Sequence, residues 1–96
     1  MWLFGKKKKR EDGELLADYR TTGNPSVFGE LFEKHIRDVY AVCFFYFRDK
    51  QTAEDAAMQV FEKLMSDLRK HEVKHFRAWL SYVVRNHCIS ELRKKK

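Results

Sequence analysis

The chain has 96 residues, with 20 Lys and Arg against 14 Asp and Glu, a formal charge of +6 and a pI near 9.4. At this length one domain is expected, burying about 60–65% of its unfolded surface. A hydrophobic content of 44% with 15% aromatics excludes a disordered chain, and two cysteines, Cys43 and Cys88, exclude a disulfide framework and point to a reducing cytoplasm.

The apolar stretch Met1-Trp2-Leu3-Phe4 comes before the basic block Lys6–Arg10, the reverse of the order in a signal peptide. Residues 1–12 read as a basic N-terminal extension, whose lysines serve equally as a solubilising tail or as a surface for a polyanion, and whose apolar tip either packs on the core or frays. Residues 13–96 read as one all-α domain, a compact bundle of three main helices plus a short N-terminal helix. Glu14–Tyr19 is weakly patterned and predicts one or two turns. Thr21–Pro25 is a break in which Asn24 caps the next helix and Pro25 takes its first position, where a missing N–H costs nothing.

From there Phe28, Leu31, Phe32, His35, Ile36, Val39, Tyr40, Cys43 and Phe47 recur every three or four residues. Val42, Phe44, Phe45 and Tyr46 fill the remaining faces, which predicts a central helix buried all round at its end. The apolar run Val39–Phe47 is far short of the roughly 20 residues that span a bilayer. Arg48–Gln51 reads as a turn, and Thr52 with Asp55 as a capping box. Ala56, Ala57, Val60, Phe61, Leu64, Met65 and Leu68 stripe the following helix. Arg69–His75 reads as a short basic loop, and Phe76, Trp79, Leu80, Val83, Val84, His87 and Cys88 stripe a final helix. No alternating pattern supports a strand.

Catalytic and ligand-binding signatures are missing. The chain has no Gly-rich phosphate loop, no Gly-x-Ser-x-Gly, no His-Glu-x-x-His and no Cys-x-x-Cys. His71 and His75 have metal-ligand spacing only if helical, and a zinc site needs three or four ligands. We therefore expect no enzyme, no cofactor, no metal and no small-molecule substrate. Glu54 and Asp55 read as charges complementing a helix dipole rather than as an acid–base pair, and both cysteines as small core residues.

Charge is distributed in three blocks: +5 over residues 6–10, −6 over 11–67 and +7 over 68–96. The last block lies within a patterned helix. With its apolar stripe turned inward, Tyr82, Arg85, Asn86, Ile89 and Arg93 share another face, combining an aromatic ring, guanidinium groups and an amide. Arg and Lys position on phosphates, while aromatics stack on bases. The same face reads equally as a plain solvated basic surface.

Three stretches, in this order and spacing, carry a family likeness. They are Glu14-Leu15-Leu16 with Gly23-Asn24, Phe28, Leu31-Phe32, His35 and Val39-Tyr40; Ala53-Glu54-Asp55-Ala56 with Val60-Phe61; and Phe76-Arg77-Ala78-Trp79-Leu80 with Val84-Arg85-Asn86, Ile89 and Arg93. Together they resemble region 2 of the extracytoplasmic-function sigma factors, the small specificity subunits of bacterial RNA polymerase.

The resemblance implies that the helix bearing Ala53-Glu54-Asp55 binds the clamp helices of the polymerase's largest subunit, through Asp55, Met58, Gln59, Glu62 and Met65. The family usually has Gln where this chain has Met58, and an acid where it has Gln59, which implies a more apolar contact here. It implies that the non-template strand of the promoter minus-ten element meets Arg69, Lys70, His71, Lys74, His75, Arg77, Ser81, Tyr82, Arg85, Asn86, Ile89 and Arg93, with a flipped base captured at the loop before Phe76. Phe76 and Trp79 read as core. An anti-sigma factor is an expected partner, covering the same surfaces. A second, helix-turn-helix domain reads the minus-thirty-five element in full members and has no counterpart in these 96 residues, which implies a truncated piece of a two-domain protein. The rival readings are a helical DNA-binding module, or a protein-binding adaptor, that never meets polymerase.

Overall fold

A computed structural model describes residues 10–94 of the chain. The expectations for Met1–Lys9 and for Lys95 and Lys96 lie outside the described residues. Four helices follow one another: α1 (Asp12–Thr22), α2 (Pro25–Phe47), α3 (Lys50–Lys70) and α4 (Phe76–Lys94). Among the described residues there is no strand, and no helix is long and apolar enough to cross a membrane.

Helix α1 has 11 residues, not the one or two turns its pattern suggests. It buries only Leu15 and Tyr19, so periodicity is a poor guide to its length. Its ends are set locally. The Glu14 carboxylate accepts the Glu11 backbone N–H at 3.0 Å, and Gly23 (φ 68°) turns left-handed and donates its N–H to the Tyr19 carbonyl at 2.7 Å. Polar bonds then tie α1 down. Asp12 meets Lys34 at 2.8 Å and the buried His35 at 3.1 Å, and the Tyr19 hydroxyl donates to the Met65 carbonyl at 3.0 Å. Arg10 reaches Asp18 at 3.0 Å and Glu30 at 3.3 Å.

Helix α2 starts as expected, with the Asn24 side chain accepting the Ser26 N–H at 2.9 Å and Pro25 at the first position. It is the hub, touching all three other helices. Its end is not buried all round, however: Phe44 is 40% and Phe45 64% exposed. Its last turns carry apolar residues on every face, and the core covers Cys43 fully and Val42, Tyr46 and Phe47 in part, which leaves Phe44 and Phe45 outward. Arg48 ends it in a left-handed conformation (φ 57°), with its guanidinium 5.6 Å from the Phe45 ring.

The cap of α3 is Asp49, which accepts the Thr52 N–H at 2.8 Å and also the Thr52 hydroxyl. Thr52 is therefore the third helical residue rather than the cap, and Asp55 instead accepts a bond from Gln51 at 3.0 Å. Glu54 and Asp55 sit a turn too deep to complement the dipole, a role that falls to Asp49. Helix α3 runs on to Lys70, so the loop shrinks to residues 71–75.

The buried stripe of α4 is Phe76, Leu80, Val84 and Cys88, at a strict spacing of four, while Trp79, Val83 and His87 are half-buried. Phe76 packs edge-on against His35 (5.2 Å between centroids), and Cys88 lies 3.8 Å from Cys43, sulfur to sulfur. Both cysteines are free and fully buried, as expected of core residues. Burial pushes the Cys43 thiol up to about 12 and raises Cys88 as well, so both remain protonated. The remaining core joins Leu15, Leu31, Val39, Val60 and Leu64 from three helices.

Candidate protein and nucleic-acid interfaces

Two exposed faces carry the residues singled out by the sequence. The first is on α3. Ala53, Ala56, Ala57, Val60, Phe61, Leu64 and Leu68 face the core, which leaves Asp55, Met58, Gln59, Glu62 and Met65 along the outer side, all exposed. Spacings of three and four place them in one stripe. Met58 is 49% and Met65 38% exposed, large values for unbranched apolar side chains. Gln59 is not free: its side-chain oxygen lies 2.9 Å from His87 Nε2 on α4, which ties this stripe to the last helix. Burial lowers the His87 pKa, favouring the neutral ring, whose Nε2–H donates to Gln59.

Beside this stripe runs an apolar groove between α2 and α3, of about 590 Å³. Phe32, Ile36 and Tyr40 form one wall and Ala57 and Met58 the other, with Arg37, Lys50 and Glu54 also lining it. Tyr40 stacks on the exposed Phe44 (6.1 Å, 29° between planes), which extends the apolar wall along α2. Sequence reading assigned these rings to the core. The spacing of four from Phe32 through Ile36 and Tyr40 to Phe44 was its only trace.

The second face is the 71–75 loop with the outer side of α4. Cavities flank the loop on both sides. One, of about 470 Å³, brings His71, Lys74, His75, Trp79 and Tyr82 together. A second, of about 390 Å³, lies toward α1, between Leu16, Arg20, Leu68 and His71. Arg77, with Lys74 and His75, lines a third of about 320 Å³ against Asp12 and Gly13. The loop is pinned to α1 by Arg20 and Glu72, 3.7 Å apart.

Along α4, Tyr82 (59% exposed), Arg85, Asn86 and Arg93 are open to solvent, opposite the buried stripe, with Ile89 half-buried among them. Ser81 is exposed at the edge of this face. Lys70 is exposed at the end of α3. Arg69 points elsewhere: its guanidinium lies 6.0 Å from the Tyr19 ring and covers Gly23 so closely that a Cβ there would come within 2.1 Å of it. His71 and His75 bracket the loop rather than sharing a helix face, and among the described residues no three His, Cys, Asp or Glu side chains gather as a metal site would need.

An all-α bundle of this kind is the fold expected of a sigma factor's second region. The sigma-70 region 2 family profile matches residues 31–96, and the chain belongs to that family. It is 30% identical, over 97% of its length, to the ECF RNA polymerase sigma factor SigM of Mycobacterium tuberculosis (strain ATCC 25618 / H37Rv). The chain spans about half of that relative, 47% of its length. No solved structure matches it significantly. The family is not an enzyme class.

Proposed function

We propose that this domain acts in transcription initiation, binding core RNA polymerase through the α3 stripe and the non-template strand of the minus-ten element through the loop and outer face of α4. The cavity shared by His71, Lys74, His75, Trp79 and Tyr82 carries the reading. It sets an exposed phenol and a half-buried indole beside ionisable and cationic side chains, the combination that holds an unstacked base and its phosphates. The α3 stripe, acidic at Asp55 and Glu62 and apolar at Met58 and Met65, suits a helical protein surface better than a polyanion. Core polymerase, at the clamp helices of its largest subunit, is the proposed partner there, and an anti-sigma factor a competing one. Residues 13–96 are proposed as the region 2 domain of a longer, two-domain factor.

Fluorescence titration of single-stranded minus-ten DNA, alone and with core polymerase, tests both faces. Tyr82→Ala is expected to weaken DNA binding by about 1–3 kcal/mol, the usual worth of one base stacked on an aromatic ring. Arg85→Ala is expected to weaken it and to lessen its salt dependence. Asp55→Ala should reduce polymerase capture while leaving binding to free DNA unchanged. DNA affinity indifferent to Tyr82 and Arg85 would sink the promoter reading. Failure to capture polymerase, with intact DNA binding, would leave a DNA-binding module of another kind.

A further inference from the structure

Cys43 and Cys88 belong to neither proposed face, yet the fold brings their sulfurs together in the core from positions 45 apart. We propose that they form a reversible dithiol–disulfide couple, oxidised by hydroperoxides while the domain stays folded.

The two side chains are already in contact. Their sulfurs are 3.8 Å apart, and a disulfide needs about 2.05 Å. A closure of about 1.8 Å, shared between the two side chains, makes the bond. The chain has only these two cysteines, so an intramolecular bond has one possible pairing. Its effect is to fasten α4 covalently to α2.

Both thiols are fully buried, so access decides the rate. Cys43 is the last buried residue of α2 and Cys88 the last of α4. After Cys88 the described residues of α4 are half-buried or exposed, and after Cys43 come the exposed Phe44 and Phe45. The pair therefore sits where both helices run out of burial. Fraying of the last turns of α4 uncovers it while the rest of the core stays closed, and such local openings cost less than global unfolding. Cys88 is the first to react. Burial raises its thiol pKa but the Cys43 thiol beside it works the other way, whereas at Cys43 burial, the charge of Cys88 and the bond to it all act upward.

In the open state the Cys88 thiolate attacks one oxygen of the hydroperoxide. The O–O bond breaks, Cys88 becomes a sulfenic acid, and the other oxygen leaves as water or an alcohol with the Cys88 proton. On reclosure the Cys43 sulfur attacks the Cys88 sulfur, the S–O bond breaks, and the sulfenic oxygen leaves as water with the Cys43 proton. The two thiols lose two electrons and the hydroperoxide gains them. A small thiol returns the electrons by exchange through a mixed disulfide.

The test treats the full chain with hydrogen peroxide, blocks the remaining thiols with N-ethylmaleimide in denaturant, and reads intact masses. The expected product is a monomer lighter by two hydrogens and carrying no maleimide. It should form at a rate independent of protein concentration and unchanged by urea below the unfolding transition, and dithiothreitol should restore both thiols. Because the tie spans 45 positions, the oxidised chain should melt about 5–20 °C above the reduced one. Two thiols that still take maleimide after peroxide overturn the proposal. So does a rate that climbs with urea in step with global unfolding, a covalent dimer as the main product, or an oxidised monomer that melts below the reduced one. The order of attack is read with dimedone, which traps sulfenic acids, in Cys43→Ala and Cys88→Ala, both of which leave a small side chain in the core. Cys88 in the first variant is expected to label faster than Cys43 in the second, and the reverse order overturns Cys88 as the attacking residue.

Discussion

Asp12 is where a single residue carries most consequence. Burial alone would raise its carboxyl pKa, but hydrogen bonds from Lys34 and His35, with their charges, outweigh burial and bring it below the usual carboxylate value. A lowered folded value means stability that is present above the unfolded pKa and lost as pH falls through the folded one. Asp12→Asn is expected to cost about 1–2 kcal/mol at neutral pH, the worth of hydrogen bonds to a charged group. Denaturant melts against pH should show the gap between wild type and variant closing below about pH 4, the carboxylate range. A gap constant down to pH 2 would show that the carboxyl's charge is not what holds α1. None of this was legible in the sequence, where Asp12 fell in the presumed tail and His35 was one more residue in a helical stripe. The contact joins positions 23 apart and depends on how α1 lies across α2.

Among the elements, the end of α2 is the place where local conformation costs stability. Arg48 occupies a left-handed position that glycine adopts freely and that costs other residues about 1–2 kcal/mol. Its ring contact with Phe45, and its Nε–H bond to the Phe45 carbonyl at 3.1 Å, offset part of that. Arg48→Gly should therefore be neutral to stabilising, by up to about 1 kcal/mol, while the β-branched Arg48→Val should lose about 1–2 kcal/mol. Thermal melts of the two variants read the difference directly; equal midpoints would mean the left-handed turn carries no strain. The helices themselves were legible because α2, α3 and α4 repeat apolar residues every three or four positions, and Asn24-Pro25 is an unambiguous start. Boundaries were harder. Asp49, rather than the expected Thr52, caps α3, because the helix starts at Lys50 and so takes in residues that read as a turn. The exposure of Phe44 and Phe45 was hidden by an apolar run with no polar face to orient it.

At the scale of the molecule, α2 holds α4 by Phe76 against His35 and Cys88 against Cys43, so the two helices run in the same direction while α3 returns between their ends. The charge blocks map onto this arrangement: the exposed acids of α3 lie on one face, and the basic loop and α4 on another. The separation of the two candidate faces could be read from the sequence once the helices were placed. The groove beside them could not, because it is lined by side chains of two helices, Phe32, Ile36 and Tyr40 from α2 and Ala57 and Met58 from α3, whose packing no sequence pattern specifies. The Tyr19 hydroxyl donates to the Met65 carbonyl across 46 positions of the chain and so fastens α1 to α3. A helix with only two buried side chains would ordinarily fray, and its amides would exchange with solvent through small local openings. Anchored on α3 at Tyr19 and on α2 at Asp12, α1 is expected to open together with the core as one cooperative unit. Its central amides should exchange with deuterium only when the whole domain opens, at the rate of those in α3. In Tyr19→Phe they should exchange faster than the rest, turning α1 into a unit that opens by itself.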